Sequence, residues 1–416
     1  MPCRFGFRLQ EEGMILGLEA RGWHGRIRRF SASVVLIFLV LFVWLRLTST
    51  HGIDRFGNGL APDFSQFYVA GELAATGEIR RIYDEAFFSS RVNALFGLPK
   101  EADSYPFLYP PFVPWLAVPL SWLPYPVAAS LYLVAMSALG VGLAWQVARH
   151  CLPDREQALD AAWLFVASIP AIRCLLYGQN GMLTLAVIWL GFLAWQARRD
   201  WLCGCVLALG AFKPQLFVGV WLWLALFGSH RSRAGLMLGL LFWALLGWIG
   251  GGGLWGQWVE AITHVRDSVK LQGQMHSWLN AFEYWRPWPQ GVEIIRGTTW
   301  MALVGFWLLA LAQLRRQGNS TAEEAFYLAL GGAVWITPRF CQYDAVILYP
   351  ALVWWWSRSR TTHLERVWII CLLTGFYFGD FFAVIRLPLL TIIGVLILIN
   401  QCLKALHKRA SIDGEC

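Results

Sequence analysis

The chain has 416 residues, of which 57% are hydrophobic and only 14% charged, with 25 Trp. That composition excludes an ordinary soluble domain and defines a membrane protein. The formal net charge of +8 is no sign of a nucleic-acid partner, because the basic residues gather at the ends of apolar segments, where they set topology and meet anionic lipid heads.

Twelve apolar segments are predicted as membrane helices, at about 31–47, 126–147, 160–177, 181–197, 201–212, 214–228, 234–250, 298–314, 324–338, 343–357, 366–380 and 382–402. Several are shorter than the roughly 20 residues that cross a bilayer, so some must tilt, extend at their ends or pair as half-spans. Arg21, Arg26, Arg28 and Arg29 precede the first segment. The clusters Arg149/Arg155, Arg198/Arg199, Arg231/Arg233, Arg315/Arg316, Arg358/Arg360/Arg366 and Lys404/Lys408/Arg409 fall on the same face as these. By the positive-inside rule that face is cytoplasmic and holds both termini. The expected organisation is a cytoplasmic segment 1–30, a transmembrane domain 31–403 and a cytoplasmic tail 404–416, in a plasma (bacterial inner) membrane. No small-residue cleavage pattern follows the first apolar stretch, which reads as a retained span.

Two long loops, about 48–125 and 251–297, then face the extracytoplasmic side. So do the short turns at Gly178-Gln179-Asn180, Lys213-Pro214 and Pro338 to Asp344. In the first loop Phe64, Phe67, Tyr68, Gly71 and Ala74/Ala75 recur at helical spacing, with Gly77 as the stop, and predict an amphipathic helix at the membrane surface. Asp63 stands at its entrance, where a carboxylate can cap the helix. The run from Tyr109 through Pro110, Pro111, Pro114 and Pro119 to Pro126 is apolar but rich in proline, and is expected to dip into the membrane edge as a re-entrant hairpin. The second loop mixes aromatic residues with His264, Arg266, Lys270, His276, Glu283 and Arg286, a suitable wall for a polar substrate.

Nine cysteines are present, yet neither long loop contains one, so no disulfide framework is implied. Cys203 and Cys205 lack the spacing and His partners of a zinc site and read as small packing residues. Gly251, Gly253 and Gly256 satisfy G-x-G-x-x-G literally, but they follow a membrane segment instead of a β-strand; no Walker A sequence occurs.

Asp63-Phe64 with Tyr68 and Gly71, then Tyr83-Asp84, Tyr109-Pro110-Pro111, Pro119-Leu120, Leu123-Pro124, Gly178-Gln179-Asn180-Gly181, Lys213-Pro214-Gln215 and Tyr343-Asp344 occur in this order. The series resembles glycosyltransferase family 87 over about residues 60–350. The resemblance implies an all-α polytopic membrane protein of the GT-C type. It also implies transfer of a sugar, commonly mannose or arabinofuranose, from a polyprenyl-phosphate donor to a lipid or glycan acceptor on the extracytoplasmic face. Asp63 matches the position of the family's catalytic carboxylate. One departure concerns the late proline: many members carry a His after it, whereas this chain reads Pro338-Arg339-Phe340-Cys341-Gln342-Tyr343-Asp344. Any role of that His is thereby in question here.

Such a transfer needs a base for the acceptor hydroxyl and a cationic pocket for the departing phosphate. Asp63 is the candidate base, with helix capping as the competing reading. Lys213 is the candidate phosphate cation, with snorkelling to the lipid heads as its alternative. Arg339 serves either the same phosphate or an ion pair with Asp344. Tyr68, Glu72, Tyr109, Gln179, Asn180, Gln215, His276, Tyr343 and Asp344 complete the candidate substrate-binding set, although a polar turn such as Gln179-Asn180 needs no ligand to explain it. No cofactor and no metal-ligand set is implied; the loops lack an Asp-x-Asp pair, and divalent-metal dependence stays open. The competing class is a transporter or flippase for a lipid-linked or small polar substrate, which inverted repeats and midplane charges would favour. No repeat is visible, and the polar motifs gather at one face.

Overall fold

The computed structural model describes residues 5–50, 53–99, 105–264, 289–337, 340–358 and 396–406. Among them every regular element is helical. The predicted span 366–380, most of 382–402, and the site candidates His276 and Arg339 lie outside the described residues.

Helix α1 (Phe5–Leu47) joins the basic N-terminal stretch to the first apolar segment in one 43-residue helix. Its Leu36, Val40 and Leu47 are exposed, as a lipid-facing surface requires. The first loop follows with α2 (Phe64–Ala75), α3 (Glu85–Leu95) and α4 (Val113–Ser121). The long α5 (Tyr125–Cys151) comes next, and by the helical rise it is about 40 Å long.

Then come α6 (Arg155–Val166), α7 (Ile169–Leu176), α8 (Gly181–Gln196), α9 (Asp200–Ala208), α10 (Pro214–Phe227), α11 (His230–Trp248) and α12 (Gly253–His264). The described helices close with α13 (Pro289–Arg316), α14 (Ala322–Ile336), α15 (Tyr349–Arg358) and α16 (Leu396–Leu406).

The helices differ in length from the twelve predicted segments. Among the described residues only the apolar parts of α1, α5 and α13 are each long enough to cross a membrane, and five spans result if two bent pairs are counted as one each. The predicted span 160–177 is α6 and α7, bent by 46°, and 234–250 is α11, which turns by 100° into α12. The first bend has a local cause. Ser168 ends α6 and caps α7 by accepting from the Ala171 N–H, with Pro170 in the first turn. Segments 181–197, 201–212 and 214–228 are short apolar helices. The 3-10 turn Leu209–Phe212 extends α9, Pro214 opens α10, and Lys213 lies between them. Trp221 Nε1 donates to the Leu207 carbonyl at 2.9 Å, so α10 folds back along α9 as a hairpin with Lys213 at its tip.

Interhelical packing in an apolar bundle depends on close approach and polar fastening. Gly204 of α9 supplies the first: a Cβ there would lie 2.1 Å from the Ser232 carbonyl oxygen of α11. Trp223 Nε1, donating to Ala322 O at 2.7 Å, supplies the second. The two ends of α5 differ in character. At its start Tyr125 Oη donates to Leu60 O at 2.5 Å, which anchors the first loop. At its end the basic residues collect, and nearby Arg28 pairs with Glu156 at 2.7 Å and Asp160 at 2.9 Å, pinning α1 to α6.

Two apolar cores result. The larger joins α5 to α10 with α13–α16 around Trp189, Phe192, Trp223 and Phe326. The smaller belongs mainly to the first loop, around Phe64, Leu73, Phe88, Phe107 and Phe112. That loop is therefore a folded layer. The proline-rich run forms α4, stacked on α2, with Gly71 set directly against the Ala117 carbonyl. Pro114 sits in the first turn of α4, where its missing N–H costs nothing, so only Pro119 disturbs the helix.

Candidate active site

Three turns of the bundle meet the first-loop layer at one place: 177–180 between α7 and α8, Lys213 between α9 and α10, and the 3-10 helix Gln342–Leu348. Gly178 makes the docking feasible. Its φ of +70° is a left-handed conformation, and a Cβ would stand 2.7 Å from Ala61 Cβ and 2.8 Å from Phe64 Cβ. The Asp63 N–H then donates to Tyr177 O at 2.8 Å.

Asp63 occupies the N-cap position of α2, yet its backbone is helical (ψ −26°) and its side chain makes no capping bond. Asp84 shows the contrast, accepting from the Phe87 N–H at 3.0 Å as a cap of α3. The Asp63 carboxylate instead accepts from Gln179 Nε2 at 2.6 Å. The capping reading is thereby overturned. Burial pushes the Asp63 carboxyl up to about 6, against the pull of the Gln179 bond and the Lys213 charge, while Asp344 adds to the rise. The residue stays only half-buried, so one edge is reachable.

Lys213 does not snorkel. It is buried, and its Nζ donates to the equally buried Asp344 Oδ1 at 2.8 Å and lies 5.5 Å from the Tyr343 ring centroid. Asp344 is thus engaged by a lysine 131 positions away. Tyr109 enters from the layer, and burial pushes its hydroxyl up to about 12, so it is neutral at physiological pH. Two acceptors in this cluster, Gln179 Oε1 and Asn180 Oδ1, are buried with no hydrogen-bond partner among the described residues. Buried carbonyl oxygens of that kind are costly unless a donor arrives.

The structure thus brings together Asp63, Tyr109, Gln179, Asn180, Lys213, Tyr343 and Asp344. It gives other candidates different work. Tyr68 Oη donates to Leu123 O at 2.8 Å and meets Tyr125 edge-on at 5.2 Å, bracing α2. Glu72 is paired with Arg91 of α3. Gln215 is exposed, and its carbonyl accepts from Thr337 Oγ1 at 2.7 Å. One neighbour was missed: Tyr132, which stacks on Phe64 at 4.5 Å and whose buried Oη has no hydrogen-bond partner among the described residues. A lone tyrosine inside an apolar segment was the available signal.

A helical, apolar bundle with a charged and desolvated centre defines an integral-membrane protein built around a polar site. Residues 107–338, more than half of the chain, match the family model of glycosyltransferase family 87, and the chain belongs to that family of membrane glycosyltransferases. The matched span includes Tyr109, Gln179, Asn180 and Lys213, whereas Asp63 and Asp344 lie outside it. No curated protein and no solved structure matches the chain.

Proposed function

We propose that this glycosyltransferase moves a mannose-like or arabinofuranose-like sugar from a polyprenyl-phosphate donor to a hydroxyl of a lipid or glycan acceptor, on the extracytoplasmic face, with Asp63 as general base. The observation that carries the reading is the Asp63 carboxylate, turned off its helix terminus and held by Gln179 beside the buried Lys213–Asp344 pair. A carboxylate raised to about 6 is ionised at neutral pH yet basic enough to take a proton.

The acceptor oxygen bonds to the anomeric carbon as its proton passes to Asp63. The bond from that carbon to the phosphate oxygen breaks, and its electron pair leaves with the polyprenyl phosphate. An ammonium has three donors, and the Asp344 bond uses one, so Lys213 has capacity for phosphate oxygens. The unsatisfied Gln179 and Asn180 oxygens suit sugar hydroxyls.

The test is transfer by the purified protein from a panel of radiolabelled polyprenyl-phosphate sugars to membrane lipid extract. A labelled product that depends on Asp63 supports the reading. Labelled product from nucleotide sugars alone would replace the donor class.

A further inference from the structure

Beside the reaction centre the described residues line an open cavity of about 470 Å³, within the range of small-molecule sites. Three separate segments wall it. Arg80, Arg81, Asp84 and Glu85 come from the approach to α3, Phe107 from the chain leading to α4, and Gln257 with Glu260 from α12. The two α12 residues share a helix face, being three positions apart. The 100° turn after α11 brings that face here, and Trp258 Nε1 fastens it by donating to Leu108 O at 3.0 Å.

The lining has three carboxylates against two guanidiniums. Arg81 is moreover held by Asp84 at 3.8 Å and by the Phe87 ring, 3.4 Å from its centroid. This balance disfavours a phosphate. It suits a neutral polyol: carboxylates and the Gln257 carbonyl accept from hydroxyls, Arg80 and the Gln257 amide donate, and the partly exposed Tyr83 ring offers a flat face to C–H groups.

The cavity wall is also continuous with the reaction centre. Tyr83 Oη donates to Tyr109 O at 2.7 Å, and the Phe107 and Tyr109 rings lie 5.7 Å apart.

We infer that this cavity is a carbohydrate-binding subsite for a neutral oligosaccharide. Resting on the transferase reading above, that oligosaccharide is the glycan part of the acceptor, held while its terminal hydroxyl meets Asp63.

Saturation-transfer NMR on the full chain in lipid nanodiscs tests it, with mannobiose, arabinofuranobiose and cellobiose as probes and inorganic phosphate as competitor. At least one disaccharide is expected to bind, undisplaced by phosphate. Its affinity should fall tenfold or more in Gln257→Ala/Glu260→Gln, two exposed positions. Arg80→Gln on the opposite wall should give the same loss, and covers the case in which the α12 variant melts early. The inference is overturned if none of the three binds, if phosphate displaces the sugar, or if Asp63→Asn loses the sugar while both wall variants keep it. Wall-dependent binding in a protein that transfers from no donor upholds the cavity and overturns the transferase reading instead.

Discussion

The Gln179 side-chain amide donates to the Asp63 carboxylate from 116 positions away, at 2.6 Å. That bond favours the ionised form of a group that burial drives toward protonation. Below about 6 the carboxyl is protonated and cannot accept a proton, so kcat/KM for transfer should fall on the acid side with an apparent pKa near 6. Gln179→Met removes the donor and should move this acid limb to higher pH. Superimposable pH profiles for the two proteins would detach Gln179 from the titration of the base.

Asp63→Asn should reduce kcat by roughly 10²–10⁴. Stability should move the other way. The folded-state value, about 6, lies above the ordinary 3.8, so the stabilisation linked to Asp63 is complete below the unfolded value and is lost as pH rises through about 6. The variant should therefore gain in melting temperature relative to the wild type between pH 5 and pH 8. A cap would show the reverse ranking, with Asn harmless to activity and Ala costly to stability.

Lys213→Met leaves Asp344 buried without its ion-pair partner, and should destabilise the fold by about 3–5 kcal/mol. Adding Asp344→Leu should restore much of the melting temperature. Donor affinity should stay weak in the double variant and recover partly in Lys213→Arg, which keeps the charge. Full donor affinity in the stable double variant would remove the ammonium from phosphate binding.

Gly178→Ala forces a left-handed conformation on a residue with a Cβ, at about 1–2 kcal/mol, and sets that Cβ against Ala61 and Phe64. Gly77→Ala bears the same kind of backbone cost, at φ +81°, with nothing within 4 Å of the added atom. Both variants should melt earlier than wild type, but only Gly178→Ala should also lose turnover. Thermal melts paired with transfer rates separate the two effects.

Orientation is testable by single cysteines in a background cleared of native ones. Thr76→Cys, on an exposed position after α2, should react with impermeant maleimide in intact cells. Arg155→Cys, at the basic end, should react only after lysis.

Local signals in the sequence led to the right elements. The spacing from Phe64 to Ala75 predicts α2 to the residue, and Gly77 adopts the left-handed conformation that ends it. The turns at Gly178 and Lys213 are likewise marked by glycine and proline. What stayed hidden was partnership. A carboxylate before a helix reads as a cap because the alternative acceptor geometry depends on a turn 116 positions on. Asp344 stands near Arg339 in sequence but bonds to Lys213, brought to it at the tip of the α9–α10 hairpin. Glu72 and Gln215 lie beside motif residues along the chain, yet helical geometry turns one toward Arg91 and the other outward.

The division into two cores bears on how the reaction centre is kept in register. Asp63 is carried by the first-loop core, whereas Lys213 and Asp344 hang from helices of the larger one; the rings of Phe212 and Phe217, 6.2 Å apart, mark the seam between them. The proposed base and the proposed phosphate cation are thus mounted on different blocks, aligned across a joint fastened by Gly178, Tyr177 and Gln179. A small slide along that joint changes the spacing of Asp63 and Lys213 without altering either one, so under the proposed mechanism substitutions deep in either core can detune catalysis while every site residue remains in place.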